Sequence, residues 1–191
     1  MKKLLLLSFL LLHIAVYGQK ILKVEKVTDA CTHITGNNFI GVIFSKEYSH
    51  QYLSPIRFSG VIYAEDDNVS NRDVLDKYQR FSADTSDILL SETLLQANLR
   101  KVNKKLGSPK YWRGPIVYKH LEKYARQYFG FLNERNEKVI FIYSYWDYEK
   151  NEKPYFDDTF HFVFDGGSYF WQIKINLKTH QLYDFGVNGS I

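Results

Sequence analysis

Arg126 lies between Tyr124 and Tyr128 in the run Tyr124-Ala125-Arg126-Gln127-Tyr128. On an extended strand, alternation turns these three side chains to one face. A guanidinium flanked by phenols can take a carboxylate or phosphate through two parallel N–H bonds. The same cation can instead be held by an acid of the fold, because an uncompensated buried charge is costly. Asp147, on the neighbouring arm, is a candidate for that role. A second set of rings and cations, Lys110-Tyr111-Trp112-Arg113, stands between Pro109 and Pro115. Trp112 and Arg113 are residue types that dominate many binding surfaces, although such a tryptophan serves equally as a core plug. His161 completes the candidates. In one pocket with Arg126, Asp147 and Asp165 it would supply the convergent groups of an enzyme.

Other chemistries find little support. Beyond residue 18 the histidines are His33, His50, His120, His161 and His180, and none forms a His-x-x-x-His pair. The densest metal candidate, Asp157-Asp158-Thr159-Phe160-His161, lacks a third sure ligand, so no metal or other cofactor is implied. Cys31-Thr32-His33 places a thiol and an imidazole on one strand face, but a nucleophilic pair also needs an orienting third group. There is no Gly-x-Ser-x-Gly elbow. Asp165-Gly166-Gly167-Ser168 sits between two strands, whereas a phosphate-cradling loop opens a helix. It therefore reads as a turn, and no catalytic residue is assigned.

These side chains must be positioned by a sheet. Residues 21–27, 39–44 and 56–64 carry β-branched and aromatic residues between turn-like clusters and predict strands. A short helix is expected over 71–81, capped by Ser70, with Val74, Tyr78 and Phe81 on one face. The clearest helix spans 86–106, where Ile88, Leu95, Leu99, Val102 and Leu106 form a stripe. Asp84 and Asp87 at its start and Arg100, Lys101, Lys104 and Lys105 at its end suit the helix dipole, and Gly107 can terminate it.

Strands dominate the C-terminal half. Residues 121–132 and 138–147 flank the hairpin Asn133–Glu137, and Val139–Tyr143 is apolar at every position, as expected of a central strand covered on both faces. Phe160, Phe162 and Phe164 alternate as a half-buried strand. After the Asp165-Gly166-Gly167 turn, Tyr169, Trp171, Ile173, Ile175 and Leu177 share one face, with Gln172, Lys174 and Asn176 opposite. Lys178-Thr179-His180 leads into a last strand with Tyr183, Phe185 and Val187 inward.

The predicted fold class is α+β: a long helix packed on a curved antiparallel sheet, with an additional β-rich segment at the N-terminus. Residues 19–191 form one such domain, with 19–83 as the β-rich part and 84–191 as the helix plus four-stranded sheet. A sheet of that length needs its apolar face covered, and the stripe of the long helix is the natural cover. The order, one helix then four antiparallel strands, resembles cystatin-like and NTF2-like rolls. That likeness carries no function with it.

A narrower resemblance rests on Tyr124-Ala125-Arg126-Gln127-Tyr128-Phe129-Gly130-Phe131, on Asp165-Gly166-Gly167-Ser168-Tyr169-Phe170 and on Val187-Asn188-Gly189. Over about residues 84–191 the chain is similar to a group of small exported bacterial proteins of uncharacterised function. They share an arginine-glutamine-tyrosine strand, an aspartate-glycine-glycine turn and an asparagine-glycine near the end. That family usually has a glycine in the first hairpin where this chain has Asn136, and asparagine also tolerates a left-handed turn. The resemblance implies no catalytic residues.

The first eighteen residues set the compartment. Lys2 and Lys3 precede an apolar run from Leu4, and Val16-Tyr17-Gly18 offers a cleavage point after Gly18, the layout of a secretory signal peptide. The fourteen residues from Leu4 to Tyr17 fall short of the roughly 20 needed to span a membrane. Cys31, the only cysteine, is too far from Gly18 for lipid attachment at the cleavage point and cannot form an internal disulfide. Cleavage leaves 173 residues with a net charge near +2, which is no nucleic-acid footprint. Fifteen Tyr and fourteen Phe, the larger compositional anomaly, suit a half-buried sheet. The expectation is an exported, periplasmic or extracellular domain that binds a protein or small ligand of the envelope, with no nucleic acid and no membrane span after processing. The alternative is an envelope hydrolase with a pocket in the roll.

Overall fold

The computed structural model describes residues 18–48, 79–105, 114–146, 158–160, 163 and 165–188. Within these, one long helix packs on an open, mostly antiparallel sheet. The strands are β1 (Ile21–Lys26), β2 (Cys31–Gly36), β3 (Ile40–Phe44), β4 (Arg80–Phe81), β5 (Tyr124–Leu132), β6 (Lys138–Trp146), β7 (Phe170–Asn176) and β8 (Gln181–Val187). Helix α1 covers Thr85–Lys105, between β4 and β5. The sheet runs β1-β2-β3-β5-β6-β7-β8, with β4 beside β5. Every pairing is antiparallel except that of β3 with β5, which is parallel and joins the N-terminal meander to the C-terminal one.

α1 starts where its side chains can hold the free backbone N–H groups. Asp84 Oδ1 accepts from the N–H groups of Ser86 and Asp87 at 2.8 and 2.9 Å, and Asp87 Oδ2 accepts from the Asp84 N–H at 3.3 Å. This is a reciprocal capping box. Ile88, Leu95 and Leu99 are fully buried against Ile43, Tyr128, Ile140, Ile142, Trp171, Ile173 and Ile175. The opposite face of the sheet buries a second cluster, with Val42, Phe44, Phe129, Phe131, Val139, Phe141, Tyr143 and Phe160. The central strand β6 thus alternates between two dry faces, which explains its unbroken apolar run.

The hairpin Asn133–Glu137 closes with Asn136 at φ 57°, the left-handed turn its asparagine permits. The glycine turn has Gly166 and Gly167 at φ 98° and 60° and leads into a single 3-10 turn, Gly167–Tyr169. Ser168 Oγ there donates to the Pro115 carbonyl at 2.6 Å, so this glycine-rich segment anchors a loop.

Four expectations are corrected. Arg80 and Phe81 are not the end of a helix: they pair with Phe131 and Gly130, and Arg80 donates to the carbonyls of Tyr48 and Ser45, both at 2.9 Å. β5 begins at Tyr124, because residues 121–123 form a 3-10 turn whose Leu121 carbonyl is taken by Arg126. Phe160 and Val163 lie outside any strand, their N–H groups donating to the Tyr48 and Tyr143 hydroxyls instead of to a ladder. Tyr183 packs on the face away from α1, because β8 carries a bulge opposite Gln172–Lys174, with Asp184 at φ 50°. One inserted residue reverses the facing of everything before it. Leu182, Phe185 and Val187 consequently share the α1 face although 182 and 185 are three apart.

The leader up to residue 17, the predicted strand 56–64, most of the predicted helix 71–81, and Leu106, Gly107, Trp112, Arg113, Asp147, His161, Phe162 and Phe164 lie outside the described residues. Among the described residues no helix is long and apolar enough to cross a membrane.

Candidate functional site

β5 turns Tyr124, Arg126 and Tyr128 to the α1 face, and α1 brings Glu92 to meet them. Arg126 Nε lies 2.9 Å from Glu92 Oε1, with the two side chains 1% and 3% exposed. The Nε–H is not aimed at that oxygen, so this is a contact of charges and not a directed hydrogen bond. The guanidinium also donates to the carbonyls of Tyr124 and Leu121, both at 3.0 Å. Tyr128 Oη donates to the same Glu92 Oε1 at 2.9 Å. Burial pushes the Glu92 carboxyl above its ordinary value, against the opposing pull of Arg126 and the Tyr128 hydrogen bond. The Tyr128 phenol is pushed far up, first by burial and then by the charge of Glu92.

Tyr124 belongs to the same face but not to this cluster. Its hydroxyl donates to the Ser168 carbonyl at 2.7 Å, and its ring meets Trp146 and Trp171 edge-on at 5.0 and 5.7 Å. Room for the cluster comes from Gly41 on β3, directly opposite Arg126. A Cβ at Gly41 would stand 2.4 Å from the Arg126 carbonyl oxygen and 2.6 Å from the Tyr128 ring. A small polar cavity of about 160 Å³ adjoins the pair, lined by Gln19, Asn38, Glu92, Gln96, Glu122 and Arg126.

A larger groove of about 480 Å³ opens at the far end of the sheet, on the face away from α1. Phe131, Asn133, Arg135, Lys174, Asn176 and Tyr183 line it, together with Glu137 and Asp184. The bulge in β8 builds this site, because it turns Tyr183 to the groove side and aims Asp184 at Lys174. Lys174 Nζ donates to Asp184 Oδ2 at 2.9 Å, with the Lys174 side chain 4% exposed. It also stands 5.9 Å from the centre of the Tyr183 ring. An ammonium carries three donors, and among the described residues Asp184 is its one hydrogen-bond acceptor. Lys174 itself lines the groove. Burial lowers the lysine's pKa, and Asp184 opposes the shift.

The groove wall is a fixed polar network. Glu137 Oε2 accepts from Asn176 Nδ2 at 2.8 Å and Asn133 Nδ2 at 3.2 Å, and Oε1 pairs with Lys178 at 3.2 Å. These partners, the Asn176 bond foremost, hold the Glu137 carboxyl down to about 2. The network ties the β5–β6 hairpin to the β7–β8 hairpin.

Among the described residues, the other sequence candidates lie apart from both places. Cys31 and His33 share a face of β2, but the Cys31 thiol points to the Asp158 carbonyl at 3.6 Å and His33 pairs with Asp158. Burial pushes the thiol up, the reverse of what an activated nucleophile needs. Asp165 is exposed on its turn. Among the described residues no three His, Cys, Asp or Glu side chains gather as a metal site. Asp147, Trp112, Arg113 and His161 lie outside the described residues, and the acid found against Arg126 is Glu92.

Glu92 had a signal in the sequence. It falls four residues after Ile88 and three before Leu95, a carboxylate in the middle of the apolar stripe. Asp184 had a weaker one, since Leu182-Tyr183-Asp184-Phe185 breaks strict alternation. Compared with protein-family models, curated proteins and solved structures, the chain has no match.

Proposed function

We propose that this protein is an exported, non-enzymatic binding module of the cell envelope. Its binding site is the groove between the β5–β6 and β7–β8 hairpins. The observation that carries this reading is the setting of Lys174: buried, held by Asp184, and lining an open polar groove. The groove's volume is within the range of small-molecule sites, and its lining is polar apart from Phe131 and Tyr183, which suits a polar ligand. The ligand is a small polar molecule that offers an oxygen acceptor to Lys174 and an apolar face to Tyr183, such as a short saccharide or peptide.

The guanidinium of Arg126, which a hydrolase reading would place in its pocket, is taken up by Glu92 and two backbone carbonyls. Export rests on the leader of residues 1–18. The run from β4 through α1 to β8 supports a cystatin-like or NTF2-like roll, and within that reading the β1–β3 meander is an addition to one edge. The test is to recover the protein from the envelope of expressing cells, confirm by mass that it begins at Gln19, and titrate it with oligosaccharides and short peptides. Saturable binding with the ligand returned intact is expected. Turnover of a bound compound, or retention of the protein in the cytoplasm, would overturn the proposal.

A further inference from the structure

β1 ends the sheet, and its outer edge is bare among the described residues. Leu22, Val24 and Val27 are 60%, 46% and 44% exposed, an unusual concentration of apolar side chains on an edge strand. The ladder to β2 fixes which backbone groups face outward. The Val27 N–H donates to the Cys31 carbonyl at 3.1 Å, and the register continues as Lys26 with Thr32, Glu25 with His33 and Val24 with Ile34. Inward bonding at Val27 and Glu25 turns the N–H and C=O of Val24 and Lys26 to the open edge.

The charges on β1 select its partner. Two copies related by a two-fold axis normal to the sheet must pair antiparallel, with residues of the same face opposite each other. Centring on Lys23 sets that lysine against itself, and centring on Glu25 does the same to the acid. Both arrangements are repulsive. Centring on Val24 sets Lys23 opposite Glu25 twice and Val24 against Val24, within the regular stretch of β1 that follows its bulge between Ile21 and Lys23. Of these three registers it alone sets opposite charges against each other, and it uses the outward-facing backbone groups of Val24.

We infer that β1 is a self-association edge, through which two copies of the chain join their sheets antiparallel about Val24.

Sedimentation across a wide concentration range tests this, with hydrogen exchange read at each amide. A reversible dimer is expected, with the Val24 and Lys26 amides gaining protection as concentration rises. Lys23 and Glu25 also pair with each other along the strand at 2.6 Å, but their side chains are 68% and 55% exposed, so substituting them is expected to leave the fold intact. Glu25→Lys should weaken the dimer about tenfold or more, since it turns two attractive cross-strand pairs into repulsive ones. Lys23→Glu combined with Glu25→Lys restores complementarity in this register and should return the affinity to near the starting value. A monomer at millimolar concentration, or a dimer indifferent to Glu25→Lys, would overturn the inference.

Discussion

Replacing Glu92 with alanine should destabilise the fold more than most single substitutions. Arg126 is 1% exposed, and with Glu92 gone it keeps two backbone carbonyls but no counter-charge. Removing one member of a buried ion pair costs about 3–5 kcal/mol. For a chain of this size that lowers the melting midpoint by roughly 6–20 °C. Tyr128→Phe removes a hydrogen bond to the same carboxylate and should cost about 1.5–3 kcal/mol. Replacing both members at once, with Arg126→Met and Glu92→Leu, leaves no stranded charge and should recover much of the loss. Urea unfolding followed by the fluorescence of Trp146 and Trp171 measures all four proteins. A Glu92→Ala cost below about 1 kcal/mol, the range of exposed pairs, would refute the reasoning. So would an Arg126→Met, Glu92→Leu variant no more stable than Glu92→Ala.

Three further outcomes are expected of the same structure. Because burial raises the folded Glu92 carboxyl above its ordinary 4.5, its contribution is complete below that pH and is lost as pH rises through the raised value. Glu92→Gln should flatten that part of the stability–pH curve. Glu137 has the opposite sign: its folded carboxyl lies near 2, so its contribution holds above 4.5 and fades as pH falls towards 2. Glu137→Gln should reduce the acid sensitivity of unfolding, measured between pH 5 and pH 2. Gly41→Ala forces a Cβ to within 2.4 Å of the Arg126 carbonyl oxygen, and should cost about 1–3 kcal/mol or more by thermal denaturation.

Local patterns carry the C-terminal half of the fold. The stripe of Ile88, Leu95 and Leu99, the solid apolar run of β6, the hairpin at Asn136 and the alternation from Trp171 to Leu177 each arise from period and turn chemistry. The failures arise where a non-local contact decides. Arg80 and Phe81 become a strand because β5 offers them a partner at Phe131 and Gly130, and nothing nearby in sequence announces it. The parallel join of β3 to β5 spans the whole helix.

At the candidate sites the same division holds. Alternation places Tyr124, Arg126 and Tyr128 on one face, but the acid they meet comes from α1, thirty-four residues before Arg126. Alternation also sets Lys174 with Gln172 and Asn176 on the face away from Trp171, which the structure shares. The burial of Lys174 depends on Asp184 and Tyr183, brought there by a bulge that binary patterning does not encode. Residue types alone point to Arg126 as the site. The structure buries it against Glu92 beside a small cavity, and the larger open polar groove among the described residues is the one that Lys174 lines.

The most direct test of that assignment is amide-resolved NMR titration with the oligosaccharide and peptide panel, on the native protein and on Lys174→Met. Asp184 stays solvated when its partner is removed, at 35% side-chain exposure, so the variant keeps its fold. The groove reading predicts ligand-induced shifts confined to Phe131, Lys174, Asn176, Tyr183 and their neighbours, abolished in the variant while its spectrum stays native. Shifts centred on Arg126, Glu92 and Gln96, or binding that survives Lys174→Met unchanged, would contradict it.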